Sequence, residues 1–220
     1  MHINNCVKIK ITVSLPYLEG SMKQFGIAVL VLVAICIFSP ASHCLASPVQ
    51  DQLQGTITKV IEILGNPEFK GDASIRQRRE SLRKVIDERF SFEKMSQLCL
   101  GKYWKDRSDT EKKEFIELFG KLLEETYISK IEGYSNEKIE YLKENITDKK
   151  AQINTRIMTE KVEIPIDYRL YQEKDGTWRV YDLVIEGVSL VANYRSQFDV
   201  ILQRDNYQKL IEELKKKIDG

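Results

Sequence analysis

The stretch LVIEGVSLVANYRSQFDVILQ, Leu183 to Gln203, decides the fold. It opens as an apolar strand, breaks at Glu186-Gly187, and continues with apolar residues at helical spacing. Taking about 100° per residue, Val188, Val191, Tyr194, Phe198 and Leu202 form one stripe of a helix over 188–203. Arg195 lies between Val191 and Phe198, near the centre of that stripe. Gly187 permits a sharp turn from strand to helix.

Upstream of this stretch the period is 2. Ile139 and Tyr141 begin a strand, and Ala151, Ile153, Thr155 and Ile157 alternate with polar residues in the next. Ile164, Ile166, Tyr168 and Leu170 form a third, and the Lys174-Asp175-Gly176 turn leads to a fourth, Thr177 to Ile185. Pro165 cannot donate to a ladder, which predicts an edge strand or a bulge there.

Before the strands come helices. Gln50 to Leu64 carries Leu53, Ile57, Val60, Ile61 and Leu64 and stops at Gly65-Asn66-Pro67. Ser74 to Arg89 has Ile75, Leu82, Val85 and Ile86. Ser91 caps a short helix with Phe92, Met95 and Cys99 that ends at Gly101. Ser108 and Glu111 make a capping box for a helix to about Ile131. After the strands, a helix over Asn206 to Ile218 follows the one from Val188. Helices, consecutive strands, then helices is α+β order with an antiparallel sheet, here of four strands. Such a sheet, curved around a helix layer, can form a cone with an apolar interior. The layout is helical over 50–133, sheet over 138–185 and helical again over 188–218, in one domain spanning 47–220.

Residues 1–46 read as a signal peptide. Gly26 to Phe38 is an uncharged apolar run preceded by Lys23 and followed by Pro40 and Cys44-Leu45-Ala46. A membrane span needs about 20 residues, and this run is shorter. Met22 stands just before Lys23, so residues 1–21 read as an over-extended start. Cleavage after Ala46 removes both histidines, His2 and His43, and Cys6, Cys36 and Cys44, leaving Cys99 as a small apolar filler. Without histidine or a second thiol, Ser-His-Asp and Cys-His chemistry, zinc sites of the usual kind and an intrachain disulfide are all excluded from the mature chain. The whole chain has 34 basic and 33 acidic residues, so no basic excess marks a nucleic-acid binder. Arg76, Arg78, Arg79, Arg83 and Lys84 are interleaved with Glu80 and Asp87 and read as a solvated helix face, with docking on an acidic partner or anionic membrane as the lesser reading.

The blocks FEKMSQLCLGKYW (Phe92–Trp104), TEKKEF (Thr110–Phe115), LLEETY (Leu122–Tyr127), IPIDYRL (Ile164–Leu170), DGTWRVYDLVIEGVSL (Asp175–Leu190) and NYRSQF (Asn193–Phe198) occur in order. Together they resemble the MlaC family of periplasmic phospholipid-binding proteins, also called the toluene-tolerance auxiliary family. The resemblance implies a sheet like the nuclear-transport-factor-2 (NTF2) cone. It also implies a soluble, non-enzymatic carrier without a cofactor, moving phospholipid between an outer-membrane lipoprotein complex and an inner-membrane ABC transporter with an MCE-domain ring. A monomer in the periplasm, binding no nucleic acid, fits that role.

Under this reading the tails lie between the sheet and the helices at Ser91–Gly133 and Val188–Arg204. The expected lining is Phe92, Met95, Tyr103, Phe119, Leu123, Tyr127, Ile157, Tyr168, Trp178, Val188, Val191, Tyr194 and Phe198. For any one aromatic, Trp104 included, core packing is the plainer expectation. Arg195 has two readings: an ion pair with Glu186 or Asp167, or a place at the cavity rim meeting a lipid phosphate. Two rivals remain open. One is an exported NTF2-like enzyme with Asp167 or Asp182 as a carboxylate base, although those residues also suit pairing with Arg169 and Arg179. The other is a pure interaction module such as a holdase.

Overall fold

The structure, a computed structural model, describes residues 47–69, 71–134 and 137–219. Residues 1–46, with both histidines and three of the cysteines, lie outside the described residues, and so does the signal-peptide reading. No described helix is long and apolar enough to cross a membrane.

Local signals set most element ends. Helix α1, Pro48–Gly65, starts with Pro48 in its first turn, and the Ser47 hydroxyl accepts from Gln50 N at 3.3 Å. Helix α2 spans Ile75–Arg89. Helix α3, Phe92–Leu100, is capped by Ser91 and ends at Gly101, which begins a 3-10 segment to Asp106. Helix α4, Asp109–Glu132, has the reciprocal Ser108–Glu111 capping box. Strands β1 (Lys138–Thr147), β2 (Lys150–Met158), β3 (Glu163–Gln172), β4 (Trp178–Ile185) and β5 (Val188–Ser189) follow, and then helices α5 (Leu190–Arg204) and α6 (Tyr207–Asp219). The result is the expected α+β fold with an antiparallel sheet in the order β1-β2-β3-β4-β5.

Two expectations are corrected. The sheet has five strands, because Val188 and Ser189 pair with Ile185 and Val184 instead of starting a helix. Glu186 (φ +50°) and Gly187 (φ +82°) both lie in the left-handed region, the pattern of a two-residue hairpin turn, so the chain doubles back before it becomes helical. Pro165 sits on β3, which is central, and the register shifts are elsewhere. The proline is tolerated because the N and O of a strand residue face the same neighbour. Its carbonyl accepts from Glu186 N at 3.0 Å, so the missing N–H also faces the turn beyond the end of β4.

Those shifts come from bulges. Leu142 is the extra residue of β1 opposite β2, and Tyr181 is the extra residue of β4 opposite β3. The second bulge moves side chains between faces: Trp178 and Val180 share a face with Leu183, while Asp182 points to the other.

Two apolar clusters form. In one, Val49 and Leu53 of α1 pack on Ala151, Ile153, Leu170, Trp178 and Val180 of the sheet. The other joins α3, α4, α5 and α6, with the Phe119 ring edge-on to Tyr194 at 5.2 Å and Phe198 at 5.8 Å. Phe90 and Leu183 pack against both. Phe90 bridges to Val180, and Ser91 N donates to Val180 O at 2.9 Å, which fixes the α2–α3 junction to the sheet.

A candidate apolar ligand groove

A groove of about 520 Å³ lies between α2 and α4. From α2 come Leu82 and Ile86, and from α4 come Ile116, Gly120, Leu123, Tyr127, Ile128 and Ile131. Phe90, Phe92, Met95, Leu183 and Leu190 complete the apolar lining. Leu82, Met95 and Leu190 are buried and close the groove toward the core. Its charged lining residues reach solvent: Arg83, Asp87, Glu93 and Glu117 are exposed, and Arg79, Lys121, Glu124 and Arg179 are partly so. Most of them are already paired, Arg83 with Glu124, Lys121 with Glu117 at 2.9 Å, and Arg79 with Glu132 at 3.0 Å. The volume falls within the range of about 300–1,000 Å³ usual for ligand clefts.

Gly120 bears on why the groove is open. A glycine inside a helix costs roughly 0.5–1 kcal/mol relative to alanine. Among the described residues, the side chain that an added Cβ here would meet is that of Phe92, whose Cδ1 is 3.9 Å away. The missing side chain widens the groove at mid-helix. A glycine at the middle of a strongly capped helix was the available sequence signal, and composition and periodicity passed over it.

At the solvent side of the groove, partial burial pushes the Asp87 carboxyl above its ordinary value, against the pull of Arg83 and Arg179. Burial, with Tyr194 adding a smaller effect, pushes the Tyr127 hydroxyl above its ordinary value, so it stays protonated. Asp182, 3% exposed, accepts from Val191 N (3.0 Å), the Ser189 hydroxyl (2.7 Å) and Arg169 Nη1 (3.0 Å). It ties β4 to the start of α5 and does not line the groove. Asp167 accepts from Gln152 Nε2 at 3.3 Å, also away from the groove. Among the described residues no cluster of three or more His, Cys, Asp or Glu could hold a metal ion.

Of the expected lining, Phe92, Met95, Leu123 and Tyr127 meet in the groove. Phe119, Val191, Tyr194 and Phe198 are buried in the helical cluster, and Trp178 and Tyr168 belong to the sheet cluster. Ile157 is half-buried on β2, opposite Ile164. Tyr103 lines a separate cleft of about 420 Å³ with Arg107, Glu111, Leu202 and Tyr207. Val188 is 59% exposed on β5.

Arg195 is exposed, and among the described residues it has no ion pair with Glu186 or Asp167. Its guanidinium lies over Gly101, with Nε and Nη2 each 3.2 Å from where a Cβ there would sit. Gly101 ends α3, so the cation meets the negative end of that helix. Leu82, Ile86, Phe90, Ile116, Ile128, Ile131, Leu183 and Leu190 are lining residues that sequence reasoning did not assign.

The fold and groove define a class: an α+β protein whose meandering sheet and helical layer leave an apolar groove, with neither Asp167 nor Asp182 in its lining. The family model described as MlaC protein matches residues 54–216, and the chain belongs to the MlaC family. It is 31% identical over 117 residues to the intermembrane phospholipid transport system binding protein MlaC of Haemophilus influenzae, an alignment covering 51% of this chain and 55% of that protein. The chain thus spans about half the length of the curated relative it matches. A phospholipid-binding protein from Ralstonia solanacearum, solved in complex with a phospholipid, superposes with a TM-score of 0.71 at 22% identity, covering 79% of this chain and 98% of that one. At that identity the likeness is one of fold.

Proposed function

We propose that this protein is a monomeric periplasmic phospholipid carrier. It takes glycerophospholipid between an outer-membrane lipoprotein complex and an inner-membrane ABC transporter with an MCE-domain ring. Acyl chain lies in the groove between α2 and α4 and against the half-buried end of the sheet at Ile157, Ile164 and Tyr168. Leu183 lines the groove and pairs with Tyr168, which supports continuity of the two surfaces. Bulges at Leu142 and Tyr181 favour a bent, NTF2-like cone for the sheet.

The observation that carries the reading is the apolar groove itself, with its charges at the solvent side. Two acyl chains hold about 30 methylenes, and at about 0.8 kcal/mol each their exposure costs on the order of 20 kcal/mol. Only an enclosed apolar surface removes a cost of that size. Carriage needs no cofactor and no covalent step.

Organic extraction of the purified protein followed by lipid mass spectrometry tests this. Near-stoichiometric glycerophospholipid is expected, and Gly120→Leu, which fills the groove, is expected to lower it while the fold persists. Protein that elutes without phospholipid and takes none from vesicles overturns the reading.

A further inference from the structure

The helices that cover the groove are unevenly fastened. Every buried residue of α1 lies in its first half: Val49, Leu53 and Thr56. In α2 only Leu82 is buried. Among the described residues, no side chain from Ile57 to Ser81 is fully buried. The near ends are pinned to the sheet. Arg89 donates to Gln52 Oε1 at 2.8 Å, to Thr56 Oγ1 at 3.1 Å and to the Trp178 carbonyl, and Phe90 bridges to Val180.

The far end of α2 is held by charge. Arg78 and Arg79 both grip the Glu132 carboxylate, at 2.7 Å and 3.0 Å through their Nη2 atoms, and Arg83 pairs with Glu124. These bridges run from α2 to α4, the two walls of the groove. Glu132 is the last residue of α4, so two cations also meet the negative end of that helix. An element with few buried contacts and a polar fastening belongs to the low-stability part of a fold, which opens before the rest.

We propose that α2 and the second half of α1 form a swinging cover over the groove, hinged at Arg89–Phe90 and latched to α4 by Arg78 and Arg79 on Glu132 and Arg83 on Glu124. Release of the latch is the step that admits and discharges the apolar ligand. The cover stands on geometry alone, while the identity of the ligand rests on the carrier reading. Arg78, Arg79, Arg83, Glu124 and Glu132 are positioning residues: they set how often the groove opens.

The test compares the intact protein with Glu124→Gln/Glu132→Gln. Native-state amide exchange over Ile75–Lys84 and Val60–Leu64 is expected to quicken roughly 5- to 30-fold, the effect of losing the three partly exposed bridges together, with Phe115–Leu123 unchanged. Transfer of a fluorescent phospholipid from the protein to phosphatidylglycerol/phosphatidylethanolamine vesicles is expected to quicken in step. Glu124→Arg alone quickens exchange, and adding Arg83→Glu slows it again. Unchanged exchange in the double variant overturns the proposal. So does exchange that rises equally through the core, or faster exchange with unchanged transfer. Faster exchange in a protein that carries no phospholipid supports the cover and removes the carrier reading.

Discussion

Asp182 shows how one residue can hold two layers together. Its carboxylate accepts three hydrogen bonds, from Arg169 on β3, from Ser189 at the helix cap and from the Val191 amide. Ser189 in turn accepts from Ala192 N at 3.0 Å, so the acid, the cap and the first turn of α5 form one chain of bonds. Asp182→Ala leaves a buried amide and a hydroxyl without their acceptor. The expected cost is about 2–3 kcal/mol, read as a lower urea midpoint with an unchanged slope. Arg195 makes a different point. Its helical phase suggested the apolar interior, but its long stem carries the charge to the end of α3, above Gly101 at φ +53°. A side chain on residue 101 would crowd the guanidinium, which would have to give by a few tenths of an ångström, and would require an unfavourable backbone conformation.

At the scale of the element, α4 is the informative helix. Phe115, Phe119 and Leu122 face the other helices, while Ile116, Gly120, Tyr127 and Ile131 face the groove. The helix therefore has two apolar sides, which accounts for the wide apolar face visible in its sequence. Gly120→Ala should raise stability by about 0.5–1 kcal/mol, because helix propensity improves and the added methyl meets only Phe92. Thermal melts check it. A loss of stability there would mean that the groove wall is tighter than 3.9 Å implies. The capping serines at 91 and 108 could be read from the chain because a cap needs only residues within one turn. The two-residue strand β5 could not, since pairing with β4 gives Val188 and Ser189 their extended form.

For the whole molecule, acid should loosen the latch. The hydrogen bond from Arg79, reinforced by Arg78, holds the Glu132 carboxyl below its ordinary range. A depressed carboxyl contributes stability that is present above the unfolded value, about 4.3, and is lost as pH falls through the folded value. Asp87, whose carboxyl burial pushes up, acts in the opposite sense, so the Glu132→Gln variant is needed to isolate the latch. The expected outcome is a steeper fall of Tm below about pH 4 in the intact protein than in Glu132→Gln. Equal acid limbs would show that the bridges contribute nothing to folding.

By itself the sequence determined the order of helices and strands, their caps, the antiparallel meander and the resemblance that the family match bears out. Each of these depends on neighbours a few residues apart or on an unbroken order of blocks. Tertiary structure alone decided which inward-facing residues pack solidly and which line an open groove. Val191, Tyr194 and Phe198 went to the core because α4 and α6 both close over α5, while Leu82 and Ile86 became groove wall because α2 lies beside α4. Periodicity says that a side chain points inward; whether it meets another side chain or a space depends on contacts between residues far apart in the chain.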